Sequence, residues 1–204
     1  MDKIQELNED EQDILRELGN IGTGNAVTAL STMLARPLEV HSTRLKLVSY
    51  QEMYTELGSS EEEKIGIMLE AYGEITGIFL FLPDMGFAVR ALDWLLEKKE
   101  RDLSRMDEME QSVFCELGNV MCGAYVNALA QLLSRRIELT VPHICLDMGG
   151  AIFSTVVSHL MKASDTLLII DNEIRLDKEL LCGQILFFPE MKSMQKVSEW
   201  LEEM

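Results

Sequence analysis

The chain has 204 residues, 47% of them hydrophobic, which suffices to bury the core of one large domain or two small ones. Its formal net charge of −17 disfavours binding to nucleic acid or anionic lipid, because both bind through basic patches, so a protein partner fits this charge better. Four cysteines without a C-x-x-C pair, and three histidines without an i+4 partner, argue against a disulfide framework and against a zinc site.

The predicted elements follow one order twice. In the first half, periodicity predicts a helix over residues 10–35, a strand over 38–48, a short helix over 50–57, strands over 64–72 and 74–83, and a helix over 85–99. The second half repeats this order with a helix over 105–134, a strand over 137–147, a short helix over 151–162, strands over 166–175 and 180–188, and a helix over 190–202. The apolar runs, such as 78–83, are too short to cross a bilayer, and no signal-peptide pattern is present. We therefore expect a soluble, cytoplasmic protein.

The two halves are also related in sequence. Residues 17–40 align with residues 116–139 at an offset of 99, with eleven identities in 24 positions. Residues from 77 onwards align with those from 183 at an offset of 106. This repeat predicts a single domain, 1–204, made of two homologous halves, 1–100 and 101–204.

The repeat also predicts the fold class. Three strands in each half cannot close a core alone, so we expect an α/β (α+β) fold in which both halves join one continuous, largely antiparallel or mixed sheet. Helices would flank this sheet, and a pseudo-twofold axis would relate the halves. The two long helices would then occupy equivalent places.

Both long helices carry a polar stripe at one spacing. Residues three or four positions apart share a helical face, and each stripe consists of an acidic or hydroxyl residue, a glutamate and an asparagine. The stripes are Asp13, Glu17 and Asn20 in the first half, and Ser112, Glu116 and Asn119 in the second. Any one of these residues is commonplace on a solvated helix. Their conjunction in two copies that otherwise differ favours a functional site.

Glycines interrupt both helices, at a cost of about 1 kcal/mol each relative to alanine. We predict close packing at Gly22, Gly24 and Gly123. For Gly19 and Gly118, between Glu and Asn, the approach of a partner's backbone is an open alternative. A phosphate-binding loop is disfavoured because the run GNIGTGN lacks a Gly-Lys-Ser ending and follows no predicted strand, and no Gly-x-Ser-x-Gly elbow supports a serine hydrolase.

These residues resemble the signature of the CheC/CheX/FliY phosphatases, which act on the chemotaxis response regulator CheY. The signature is Asp or Ser, three residues, Glu, two residues, Asn, 22 residues and Pro. Ser112, Glu116, Asn119 and Pro142 match it in full. The first copy matches at Asp13, Glu17 and Asn20 but has Thr43 in place of proline. If the two sites differ, we expect the Asn20 site to be the weaker.

The resemblance implies a CheC-like fold and the hydrolysis of an aspartyl phosphate on CheY. The catalytic residues would be Glu17, Asn20, Glu116 and Asn119, with Asp13, Ser112 and Pro142 supporting the motif. No cofactor or metal would belong to this chain, since Mg²⁺ would be supplied by the phosphorylated receiver. The resemblance also implies binding of the receptor deamidase CheD by a monomer with internal pseudo-twofold symmetry. A non-catalytic adaptor that regulates CheD or another response-regulator pathway is the alternative.

Overall fold

The computed structural model describes residues 9–56, 61–96, 103–159, 164–176 and 178–202. The first half contains α1 (Glu9–Leu34), β1 (Glu39–Ser49), α2 (Tyr50–Glu56), β2 (Glu63–Gly73), β3 (Gly77–Pro83) and α3 (Met85–Leu95). After a 3-10 turn at Leu103–Arg105, the second half contains α4 (Glu108–Leu132), β4 (Ile137–Leu139), β5 (His143–Met148), α5 (Gly149–His159), β6 (Thr166–Leu176), β7 (Glu179–Pro189) and α6 (Met191–Glu202).

One seven-stranded sheet runs through both halves, in the order β1-β6-β7-β3-β2-β4, with β5 also paired to β2. Every strand pair is antiparallel. Exchanging the two halves maps this strand order onto itself, which confirms the predicted pseudo-twofold arrangement. The strands that follow each motif helix pair with the other half, β1 with β6 and both β4 and β5 with β2, so the halves interlock.

The sheet has an apolar core on each face. On one face, α1, α3 and α4 pack over buried side chains that include Ile67, Phe79 and Ile185. On the other face, α2 and α5 cover a smaller core that includes Leu80 and Leu186. β3 is buried along its whole length, since it lies at the centre of the sheet between these layers. This architecture places both motif helices on the same face of the sheet.

Three of the differences from the predicted element boundaries have a local cause. The single strand predicted over 137–147 is two strands, because the segment between β4 and β5 contains Pro142, which has no N–H to donate to the ladder. The strand predicted from residue 74 begins at Gly77, because the chain turns at Gly73, where φ is +111°. The helix predicted from residue 105 begins at Glu108, after a capping box formed by Asp107 and Glu110.

One helix, α4, is long and apolar enough on average to pass for a membrane span. In its most apolar window, however, 61% of the residues are buried inside the fold. Its apolar side chains face the sheet and α1, so core packing accounts for them. No other helix in the described part of the chain meets the length and composition of a span.

Candidate functional site

The first polar stripe lies on the outer face of α1. Glu17 and Asn20 are exposed, whereas Leu18 and Gly19 between them are buried against the sheet. Asp13, one turn earlier, is also exposed and forms an ion pair with Arg16. Within the described residues, no hydrogen bond or ion pair reaches the side chain of Glu17 or Asn20. Both polar groups are therefore available to a partner.

The second stripe has the same arrangement on α4. Ser112, Glu116 and Asn119 are exposed, and Leu117 and Gly118 are buried. The capping box at the start of α4 satisfies backbone N–H groups there and fixes where the helix begins. As on α1, no hydrogen bond or ion pair from the described residues reaches the carboxylate of Glu116 or the amide of Asn119. The structure thus presents two Glu–Asn pairs to solvent.

The residue at the motif's proline position contacts the motif helix in both halves. In the second half, the Cys115 thiol lies beside Glu116 and donates to the carbonyl oxygen of Pro142 at 3.8 Å. In the first half, the Thr43 hydroxyl donates to the Thr23 hydroxyl of α1 at 2.7 Å. Threonine at this position therefore contacts its helix through the side-chain hydroxyl, whereas proline does so through its backbone carbonyl.

Thr43 belongs to a buried polar network that the sequence did not reveal. The Thr23 hydroxyl lies 2.8 Å from the Gly19 carbonyl oxygen and 2.6 Å from the Tyr125 hydroxyl of α4. The Tyr125 hydroxyl also donates to the Oδ1 atom of Asn172 on β6. Burial raises the pKa of Tyr125, so its phenol remains protonated. The network ties α1, α4 and the sheet together directly beneath the first stripe.

The glycines divide into packed and open positions. A Cβ atom at Gly22 would overlap the Tyr125 ring, and one at Gly118 would overlap Ile67 on β2. The predicted close packing is thus confirmed at Gly22. It is wrong at Gly24 and Gly123, where an added Cβ would find no neighbouring atom within 4 Å.

Gly19 and Gly118 face the chain's own sheet. A Cβ at Gly19 would lie 3.4 Å from the Leu45 side chain, and Gly118 packs more tightly still. The approach of a partner's backbone at these two positions is therefore not what the structure shows. The side chains of Glu and Asn themselves point outwards and are exposed to solvent.

The neighbouring thiols do not have the chemistry of a cysteine phosphatase. Burial raises the pKa of Cys115 and of Cys145, which favours the thiol over the nucleophilic thiolate. Among the described residues, no three His, Cys, Asp or Glu side chains come together as a metal ion requires. The polar chemistry at the two stripes is that of carboxylate and carboxamide groups.

The fold and the stripes together define a class: a duplicated α/β protein with one exposed Glu–Asn pair in each half. The CheC-like family model matches residues 11–38 and 109–145, which contain both stripes and Pro142, whereas Thr43 lies outside the matched residues. The CheY-P phosphatase CheC of Bacillus subtilis is 29% identical over 195 residues, or 94% of this chain and 93% of that protein. The chain is therefore similar to the CheC-like family over both of its motif segments.

Solved structures share the fold. FliY of Thermotoga maritima superposes with a TM-score of 0.72 at 19% identity, covering 98% of this chain and 99% of that one. The FliM middle domain of H. pylori superposes with a TM-score of 0.60 at 13% identity, covering 97% and 100%. At these identities the likeness extends to the fold alone.

Proposed function

We propose that this chain is a phosphatase that hydrolyses the aspartyl phosphate of a phosphorylated receiver of the CheY type. The observation that carries the proposal is the duplicated, solvent-exposed Glu–Asn pair, which makes no bond within the described chain. The similarity to a protein named CheY-P phosphatase over nearly the whole length supports it.

The chemistry needs little beyond positioning. An aspartyl phosphate is a reactive acyl phosphate, so its hydrolysis requires a water in line with phosphorus and stabilisation of charge on the equatorial oxygens. The carboxamides of Asn20 and Asn119 both donate and accept hydrogen bonds, and can therefore hold such a water. By family resemblance, Glu17 and Glu116 pair with a receiver lysine and fix the docking register. The receiver's own acidic cluster would hold Mg²⁺, which neutralises phosphoryl charge.

Turnover is the direct test. Addition of the purified chain to a phosphorylated CheY-type receiver should shorten the lifetime of the aspartyl phosphate at a chain concentration well below that of the receiver. Stable binding of the phosphorylated receiver without faster loss of phosphate would contradict the phosphatase proposal and favour the adaptor.

The pH profile tests the kind of chemistry. Between about pH 6 and 8 we expect the rate of hydrolysis to change little, because carboxamides do not titrate in this range. The receiver's spontaneous dephosphorylation, measured at each pH, is subtracted as the control. A steep bell-shaped profile would indicate a titrating acid and base and would argue against water positioning by Asn20 and Asn119.

CheD is the second partner that we propose, with α5 as its candidate surface. Ile152, Phe153 and Val156 of this helix are buried in the smaller core, so a partner could contact only the opposite face. That face carries mostly small polar residues together with Val157.

We propose that the chain acts in the cytoplasm as a monomer. Its net negative charge would increase the rate of encounter with partners that have basic surfaces.

A further inference from the structure

Two exposed apolar side chains flank the second stripe. Among large hydrophobic residues of the described chain, Val141 and Met109 are the most exposed, at 74% and 62%. Met109 precedes Ser112 by three residues and Glu116 by seven, so it extends the same helical face towards the start of α4. Single exposed apolar residues are common, so an interaction surface must be argued from where these two lie relative to the second Glu–Asn pair.

Val141 reaches the same region from the sheet edge. It directly precedes Pro142, whose carbonyl oxygen accepts from the Cys115 thiol beside Glu116. Between α4 and the start of β5 lies an open cleft of about 360 Å³ whose lining includes Met106, Gln111 and Pro142. Met109 and Val141 are here called the apolar rim. Neither lines the cleft, but each lies within two residues in sequence of one that does, Gln111 and Pro142 respectively.

The first half lacks this rim. At the offset of 99, the positions of Met109 and Val141 correspond to Asp10 and Ser42. The Ser42 hydroxyl donates to Glu173 at 2.6 Å, within the chain. At the described positions, the stripe on α1 reads Asp13 and Glu17 where the stripe on α4 reads Ser112 and Glu116. Among these side chains, the second stripe carries one carboxylate and the first carries two, of which Asp13 pairs with Arg16.

The negative charge of a phosphorylated receiver indicates which of the two stripes it would bind more readily. A phosphorylated receiver presents the dianionic phosphoryl group and acidic residues, so a carboxylate-rich surface repels it more than an apolar one does. We propose that the apolar rim is a docking surface for apolar receiver side chains next to the phosphorylated aspartate, and that it makes the second half the preferred receiver site. This inference rests on the proposed function, which does not itself distinguish the halves.

The test replaces the two rim residues with the residue types found at the equivalent positions of the first half. In an Asn20→Ala background, where only the second pair is active, Met109→Asp/Val141→Ser should raise KM for the phosphorylated receiver about tenfold or more and leave kcat unchanged. Apolar side chains of this size contribute to binding on that order when they are buried. The matched control, Met191→Asp/Leu180→Ser, alters exposed residues of the same kind on α6 and β7 and should change neither parameter.

Three outcomes decide the inference. An unchanged KM in the rim variant, with turnover intact, overturns it. A fall in kcat alone also overturns it, because it would show a role in placing Asn119 and not in docking. If sedimentation velocity shows that the wild-type chain is a dimer and the rim variant is a monomer with unchanged KM, the rim binds a second copy of the chain.

If the wild-type chain gives no turnover, the proposed function fails. Titration with the phosphorylated receiver would then still show whether the rim variant binds more weakly.

Discussion

Replacement of both asparagines, in Asn20→Ala/Asn119→Ala, should return the lifetime of a phosphorylated receiver to its spontaneous value. Both side chains are exposed, so truncation removes the carboxamide without opening a cavity in the core. Loss of one preorganised polar group at a reacting centre typically costs about 10²–10³ in rate, so loss of both should abolish measurable acceleration. Phosphate release from the receiver, followed at several chain concentrations, provides the measurement.

The chain offers a matched control for this variant. Asn25 and Asn127 are exposed asparagines on the same two helices and lie outside the motif. Asn25→Ala/Asn127→Ala should therefore retain the wild-type rate. Full activity in Asn20→Ala/Asn119→Ala would exclude water positioning by these carboxamides, whatever the control shows.

The single variants should differ from each other. Asn119→Ala is expected to lose more activity than Asn20→Ala, because the second half has the complete motif and the apolar rim. In the first half, the motif proline is replaced by Thr43, which holds Thr23 and, through it, the carbonyl of Gly19. Equal losses in the two single variants would show that this replacement leaves the first site intact.

The sequence predicted the elements well because their patterns are local. Hydrophobic periodicity located α1 and α4 to within a few residues, and the repeat predicted that their equivalent positions face one sheet. The exchange of β1 and β5 between halves was not predicted, because alternation along a strand shows which face is buried but not which strand is its neighbour. The break at Pro142 is readable in principle from the missing N–H of proline.

The Glu–Asn pairs of the candidate site could be predicted from the sequence because they occur in both halves. The Glu–Asn pairs stand out because they repeat at one offset, and the structure places all four side chains at the surface, while their roles stay predictions. The network of Thr23, Tyr125 and Asn172 was missed, because its residues are far apart in sequence and Tyr125 corresponds to Ala26 in the other half. No pattern within a single half distinguishes such buried polar residues from exposed ones.

The packed and open glycines give the largest predicted differences in stability. Gly118→Ala should be less stable than Gly123→Ala by about 1–3 kcal/mol, because only the former forces a methyl group into Ile67. Both variants gain the same helix propensity, about 1 kcal/mol, so their difference isolates the packing cost. Gly22→Ala and Gly24→Ala form the equivalent pair on α1, where the obstacle is the Tyr125 ring.

Thermal and urea unfolding of these four variants would measure the differences. In a chain of this size, each kcal/mol shifts the melting temperature by about 2–4 °C, which is readily resolved. Gly24→Ala and Gly123→Ala should melt above the wild type, because nothing within 4 Å opposes the added methyl group. The Tyr125 ring at Gly22 is held by its hydroxyl bonds and cannot move aside without breaking them. Equal stability of Gly22→Ala and Gly24→Ala would show that this ring has room to rotate, and that the network beneath the first stripe is looser than its hydrogen bonds indicate.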